Sequence, residues 1–142
     1  MIEIYTDGCC TPTNPGPGGW ATIIYLPNSS TSLSGSEPYT TNNRMEITAV
    51  LEAMKWSIQN TPAIIYSDSS YVVNGVNKWI GGWANAGWKK GNRQIKNTDL
   101  WQEVYDVKQS FRGSVEWVRG HSGVPGNEEA DMLAKLVAEN QS

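Results

Sequence analysis

Apolar positions in the first third of the chain fall into short runs bounded by turn residues, and those runs predict strands. Residues 2–6, IEIYT, make the first strand. Residues 20–26, WATIIYL, make the second, closed by a Pro27-Asn28 turn, and a Ser/Thr-rich third runs from about Thr31 to Glu37. Hairpin connections make these three antiparallel neighbours. The period then changes. Val50, Leu51, Met54 and Ile58 recur at helical spacing, and Asn43, three residues before Glu46, offers an N-terminal cap. A short strand over 63–67 leads to a helix from about Ser69 and then to a tryptophan-rich basic segment. Another helix is expected near Asp99, with Leu100, Val104 and Val107 on one face. SVEWVRG reads as a strand. After GHSGVPGN a last helix carries Leu133, Ala134 and Val137. Hairpins followed by alternating strands and helices predict a mixed α/β sheet with helices on its faces.

Two of the strands run into an aspartate: Asp7 after IEIYT and Asp68 after AIIYS. Ligands of such sheets collect beyond the carboxyl ends of the strands. Each acid also has a plainer explanation. Asp7-Gly8 is a common turn pair, and Asp68 can cap the helix that follows. Glu46 can complete a capping box with Asn43, and Asp131 suits the dipole early in the last helix. Glu46 strains its explanation. It borders the Ala49/Val50 stripe, with no lysine or arginine four residues away, and an unpaired buried carboxylate is costly. Several such acids brought together would repel one another, and a hard divalent cation is the natural remedy.

At 142 residues the chain is long enough to bury one core, so a single domain over 1–142 is expected. No apolar run approaches the roughly 18 residues of a membrane span. Glu3 and Asp7 stand where a secretory leader would be basic and then apolar. The two cysteines, Cys9 and Cys10, are adjacent and make no disulfide framework, which fits a cytoplasmic protein. The net charge is −3, yet no acid occurs from Ser69 to Thr98. That stretch holds Lys78, Lys89, Lys90, Arg93 and Lys96, interleaved with Trp79, Trp83 and Trp88. Such a segment can follow a phosphate backbone, or it can be a solvated loop with its tryptophans tucked into the core. Setting Asp7, Glu46, Asp68 and Asp131 aside leaves ten acids against eleven bases. The negative charge then belongs to the four acids more than to the surface.

YTDGCCTPTNPGPGGW, TTNNRMEITAVLEAM, IYSDSSYVVNGV, NTDLW and VRGHSGVPGNEEADMLA occur in this order. Together they resemble the type 1 ribonuclease H family, close to its bacterial form, over nearly the whole chain. The resemblance implies a ribonuclease H-like fold, a five-stranded mixed sheet flanked by helices. It implies an endonuclease that hydrolyses the RNA strand of RNA–DNA hybrids with two Mg²⁺ ions, Mn²⁺ being a possible substitute, and leaves 3′-hydroxyl and 5′-phosphate ends. The family's catalytic and metal-binding acids match Asp7, Glu46, Asp68 and Asp131, and its catalytic-loop histidine matches His121. Cys10, Asn14 and Asn43, with the neighbouring Asn42, match positions that touch the hybrid near the cut. Thr41 and Asn97 match positions that hold a DNA-strand phosphate, and the segment from about Trp79 to Lys96 matches a basic protrusion. The chain departs from the family in three places. Ser70 replaces a usual glutamine, Tyr39 replaces an arginine of some eukaryotic relatives, and WIGGWANAGW is poor in lysine. A free-standing monomer with no obligate protein partner and no membrane is the expectation. The competing readings are a non-catalytic hybrid-binding module and a DNA nuclease or recombinase on the same fold.

Overall fold

A computed structural model describes residues 1–140. Strands β1 (Ile2–Cys10), β2 (Gly16–Tyr25) and β3 (Ser30–Thr40) lead to helix α1 (Asn42–Gln59) and strand β4 (Ala63–Ser67). A continuous helical stretch follows: α2 (Ser70–Asn74), a π-helical turn (Gly75–Trp79) and α3 (Ile80–Asn85). The chain ends with a two-residue hairpin, β5 (Lys89–Lys90) and β6 (Arg93–Gln94), then α4 (Thr98–Lys108), β7 (Ser114–Trp117) and α5 (Pro125–Glu139).

The main sheet has the order β3-β2-β1-β4-β7. The first three strands pair antiparallel, and β4 and β7 run parallel to β1. Register explains the core. Ile24, Ile4, Ile65 and Val115 lie side by side across four strands, and all four are buried with Val50, Leu51, Met54 and Trp101 in one cluster. On the alternate positions Tyr5 stacks on Tyr66 at 4.8 Å. The α1 backbone is tied to the sheet where Thr22 Oγ1 donates to the Ala49 carbonyl at 2.9 Å.

Several elements differ from the sequence expectation. β1 runs on to Cys10, so Asp7 lies inside the strand and Asp7-Gly8 is not a turn. Its parallel pairing with β4 nevertheless ends at Thr6↔Ser67. Asp7 and Asp68 are therefore the next residues on two neighbouring strands, at the point where those strands part. The α1 cap is Thr41, whose hydroxyl accepts from the Arg44 N–H, and not Asn43. Ser69, not Asp68, caps α2 through the Val72 N–H. Both plainer explanations, for Glu46 and for Asp68, thereby fall away. Ile58 is 41% exposed rather than core. On α4 Trp101 is the buried anchor beside Val104, and Leu100 and Val107 are half-buried. The buried stripe of α5 is Gly126, Asn127, Ala130, Ala134 and Ala138, small residues that let the helix ride close on the sheet, while Leu133 and Val137 flank it.

Candidate active site

Three acids meet where β1 and β4 part. Asp7 comes from β1, Asp68 from the residue after β4, and Glu46 from the first turns of α1. One carboxylate oxygen from each lies within 4.8 Å of the others. Gly8 is what admits Glu46. A Cβ at residue 8 would lie 2.3 Å from the Met45 carbonyl carbon and 2.4 Å from the Glu46 nitrogen. Backbone meets backbone there, and a side chain would push α1 away. Asp131, on α5, lines the same cleft of about 220 Å³ together with Asn42, Cys9 and His121. It lies outside the tight trio but beside Asp7, with which it shares a side-chain hydrogen bond, and it forms an ion pair with Lys135 at 3.1 Å, one helical turn along.

No cation forms an ion pair with the trio among the described residues. Glu46 Oε1 is sealed from solvent with no hydrogen-bond partner among the described residues. Burial above all pushes the Asp7 carboxyl up to about 8, with further upward pressure from Asp68 and then Asp131 and only the Gly8 backbone opposing. Burial, followed by repulsion from Asp7 and Asp68, drives Glu46 well above the ordinary carboxylate range. Carboxylates in this state resist ionisation unless a cation joins them. An all-oxygen donor set with an orphaned oxygen suits a hard divalent metal. Cys9, in the same cleft, does not supply a nucleophile. Burial, then Asp7 and Asp131, push its thiol up to about 11, so it stays protonated at neutral pH.

Asp68 is gripped from several sides. Its backbone carbonyl accepts from Trp117 Nε1 at 3.2 Å, and its Oδ2 accepts from Asn127 Nδ2 at 3.2 Å. Gly120 packs so closely that a Cβ there would lie 2.6 Å from Asp68 Oδ2. The next residue, His121, sits at φ 53°, a left-handed backbone uncommon outside glycine. Its N–H donates to Asn127 Oδ1 at 3.4 Å. Neither Cys9 nor Asn127 was picked out from the sequence. The signal for Asn127 was there: it is the polar member of a small-residue helical stripe, 2% exposed.

The remaining positions fall into three groups. Asn42 Oδ1 accepts from the Cys10 N–H at 2.6 Å, and the Asn42 N–H donates to Asn14 Oδ1 at 3.1 Å. This bracket borders the cleft; Asn43, the next residue, is exposed, and so is Ser70 at the start of α2. Thr41 and Asn97 are joined through Arg44. The Arg44 backbone donates to Thr41, and its guanidinium reaches Asn97 Oδ1 at 3.4 Å while clasping Asp99 at 2.7 and 3.0 Å. Tyr39 is 74% exposed beside them. In the basic segment the two sequence readings divide by residue. Trp83 packs on Trp101 at 5.2 Å and Trp88 on Tyr105 at 5.8 Å, so these rings anchor the segment to the core. Trp79 is 40% exposed. Lys78, Lys89, Lys90, Arg93 and Lys96 are exposed, and none has an ion-pair partner among the described residues.

Residues 1–139 match the RNase H family profile. A protein of Cupriavidus necator named Ribonuclease H is 45% identical over 140 residues, covering 98% of this chain and 96% of its own length. Among solved structures, the crystal structure of LC9-RNase H1, "a type 1 RNase H with the type 2 active-site motif", superposes with a TM-score of 0.86 at 32% identity, over 99% of this chain and 73% of that one. The foamy viral protease-reverse transcriptase in complex with RNA/DNA hybrid superposes with a TM-score of 0.86 at 22% identity, covering 99% of this chain and 20% of that one, which is a likeness of fold.

Proposed function

The chain belongs to the ribonuclease H family and is a ribonuclease H enzyme; from that premise we propose that it hydrolyses the RNA strand of RNA–DNA hybrids endonucleolytically, with two divalent metal ions, to 3′-hydroxyl and 5′-phosphate ends. The observation that carries this reading is the trio of Asp7, Glu46 and Asp68 within 4.8 Å, with Glu46 Oε1 orphaned. These carboxylates, with Asp131 at the cleft edge, would hold Mg²⁺, or Mn²⁺ in its place. Two bound ions supply Lewis acidity, which makes a water molecule easier to deprotonate and offsets charge on the departing 3′ oxygen.

The chain's own residues supply position and proton handling. Asp7, paired with Ala21 of β2 and one residue past the last β1–β4 pair, is held inside a strand and would be the acid shared by the metal ions. Asp131 serves the side of the attacking water, and Glu46 and Asp68 serve the leaving-group side. His121, on the loop that lines the cleft, is suited to carry protons because an imidazole ring offers both a donor and an acceptor nitrogen. The bracket of Cys10, Asn14, Asn42 and Asn43 faces the RNA strand, where the 2′-hydroxyl must be read. Thr41 and Asn97 hold a DNA phosphate, and the exposed cations of the basic segment steady the duplex.

Residues 1–142 are read as one domain acting as a monomer, with the four acids brought to one cleft by its own strands and helices. Among the described residues no helix is long and apolar enough to cross a membrane. A cytoplasmic location is supported by the two free thiols. Nothing in the geometry favours a purely binding module, since all four acids line one cleft. The test offers labelled RNA–DNA hybrid, double-stranded RNA, double-stranded DNA and single strands, each with and without Mg²⁺. Metal-dependent cuts confined to the RNA of the hybrid are expected. Metal-independent cleavage, or equal cleavage of double-stranded DNA, would overturn the reading.

A further inference from the structure

We infer that Asn127 is a positioning residue that locks the His121 loop to the Asp68 carboxylate, so that the place of the imidazole is set by that acid. This rests on the catalytic reading of His121 given above. Asn127 is 2% exposed, in the first turn of α5, and both ends of its amide are used. Nδ2 donates to Asp68 Oδ2 at 3.2 Å, and Oδ1 accepts the His121 N–H at 3.4 Å. A carboxylate oxygen only accepts and a backbone N–H only donates. The Asn127 amide offers one of each, and of its two orientations this one satisfies both partners.

The arrangement around the bridge explains why one is needed. His121 holds a left-handed backbone at φ 53°, a conformation that persists in a non-glycine residue only when its surroundings enforce it. Gly120 brings the loop backbone against Asp68 without a side chain between them. Ser122 Oγ donates to the Arg119 carbonyl, and the Gly123 N–H donates to Glu128 Oε1 at 3.2 Å, so the far side of the loop is tied to α5 at an exposed point. The buried Asn127 bridge is the tie that reaches the acid trio. Without it the loop stays attached to the helix but loses its reference to Asp68.

The test uses the full chain and two readouts. In the metal-free protein, ¹⁵N relaxation at His121, Ser122 and Gly123 should show increased mobility in Asn127→Ala. The same is expected in Asn127→Asp, which keeps the shape but sets a carboxylate against Asp68 and carries the test if the alanine variant does not fold. Wild-type relaxation in a folded variant would overturn the bridge. With Mg²⁺ and hybrid, Asn127→Ala should lower kcat by roughly 10-fold at nearly constant KM. In a His121→Ala background the same substitution should change kcat by less than about twofold. Independent effects that multiply would show that Asn127 does not act through the loop. A wild-type kcat in His121→Ala alone would remove the catalytic reading of His121, and the relaxation measurement would still decide the bridge.

Discussion

The acid cleft and the basic protrusion handle charge in opposite ways. In the cleft, carboxylates lie within 4.8 Å of one another, with one buried oxygen unpartnered among the described residues. They are held by strands, a close glycine contact and an amide bridge. In the protrusion, five cations stand in solvent without ion-pair partners among the described residues, on a segment pinned by Trp83 and Trp88. Buried charge interacts strongly, and screening hardly reaches it. Exposed charge interacts weakly, and salt governs it. The cleft should therefore answer to metal and pH, the protrusion to ionic strength.

The largest break in this comparison is Asp7→Asn. It removes the most central charge of the trio at little steric cost, and it should lower kcat by more than about 10³-fold while hybrid binding persists. Cleavage at the wild-type rate in Mg²⁺ would remove Asp7 from the proposed metal-holding set. His121→Ala should be milder, lowering kcat by on the order of 10²-fold at nearly constant KM, the scale of general acid–base help. A large fall in Tm with normal kcat would show the histidine to be structural.

The protrusion should give a smaller effect with a different signature. Changing Lys89, Lys90 and Arg93 together to alanine should raise KM by roughly 10-fold at 0.1 M salt with little change in kcat, and should flatten the salt dependence of binding. A KM that matches wild type across salt concentrations would mean that these cations serve only solubility.

The smallest effect lies in stability without metal. The Asp7 carboxyl titrates near 8 in the fold against an ordinary value of 3.8. Between those values the folded state holds the extra proton, so stability falls as pH rises through the window. The metal-free Tm should drop by roughly 5 °C between pH 5 and pH 8, and added Mg²⁺ should restore more at pH 8 than at pH 5. Asp7→Asn should flatten the pH profile. A metal-free Tm that rises with pH would contradict the crowding of the trio.

Strand and helix positions were legible from periodicity because the period marks the face an element buries, although Ile58, Leu133 and Val137 lie at or beyond the edge of that face. Of the acids only Glu46 stood out locally, as a carboxylate bordering an apolar stripe with no cheap local solution; the grouping of the four was implied by the family resemblance. The caps were misread because Asn43-x-x-Glu46 satisfies the local pattern as well as Thr41 does, and only the fold chooses between them. Asn127 and Asp68 are 59 positions apart, and no local rule connects them. The π-helical turn at Gly75–Trp79 and the Lys89–Gln94 hairpin were not foreseen either. Both are too short to imprint a period, and Gly75 is placed by the Trp101 ring, whose nearest carbon would lie 2.3 Å from a Cβ at residue 75.

The contact at Gly8 has a consequence for how this sequence can vary. A Cβ there meets only α1 main-chain atoms, and main chain cannot rotate aside as a side chain can. In a saturation library selected for cleavage, position 8 should retain glycine alone. Gly81 and Gly82, where an added Cβ meets nothing within 4 Å, should drift freely to alanine, serine or lysine. A pool of surviving clones sorted this way would map the close approach of β1 to α1 from sequence counts, with no structure consulted.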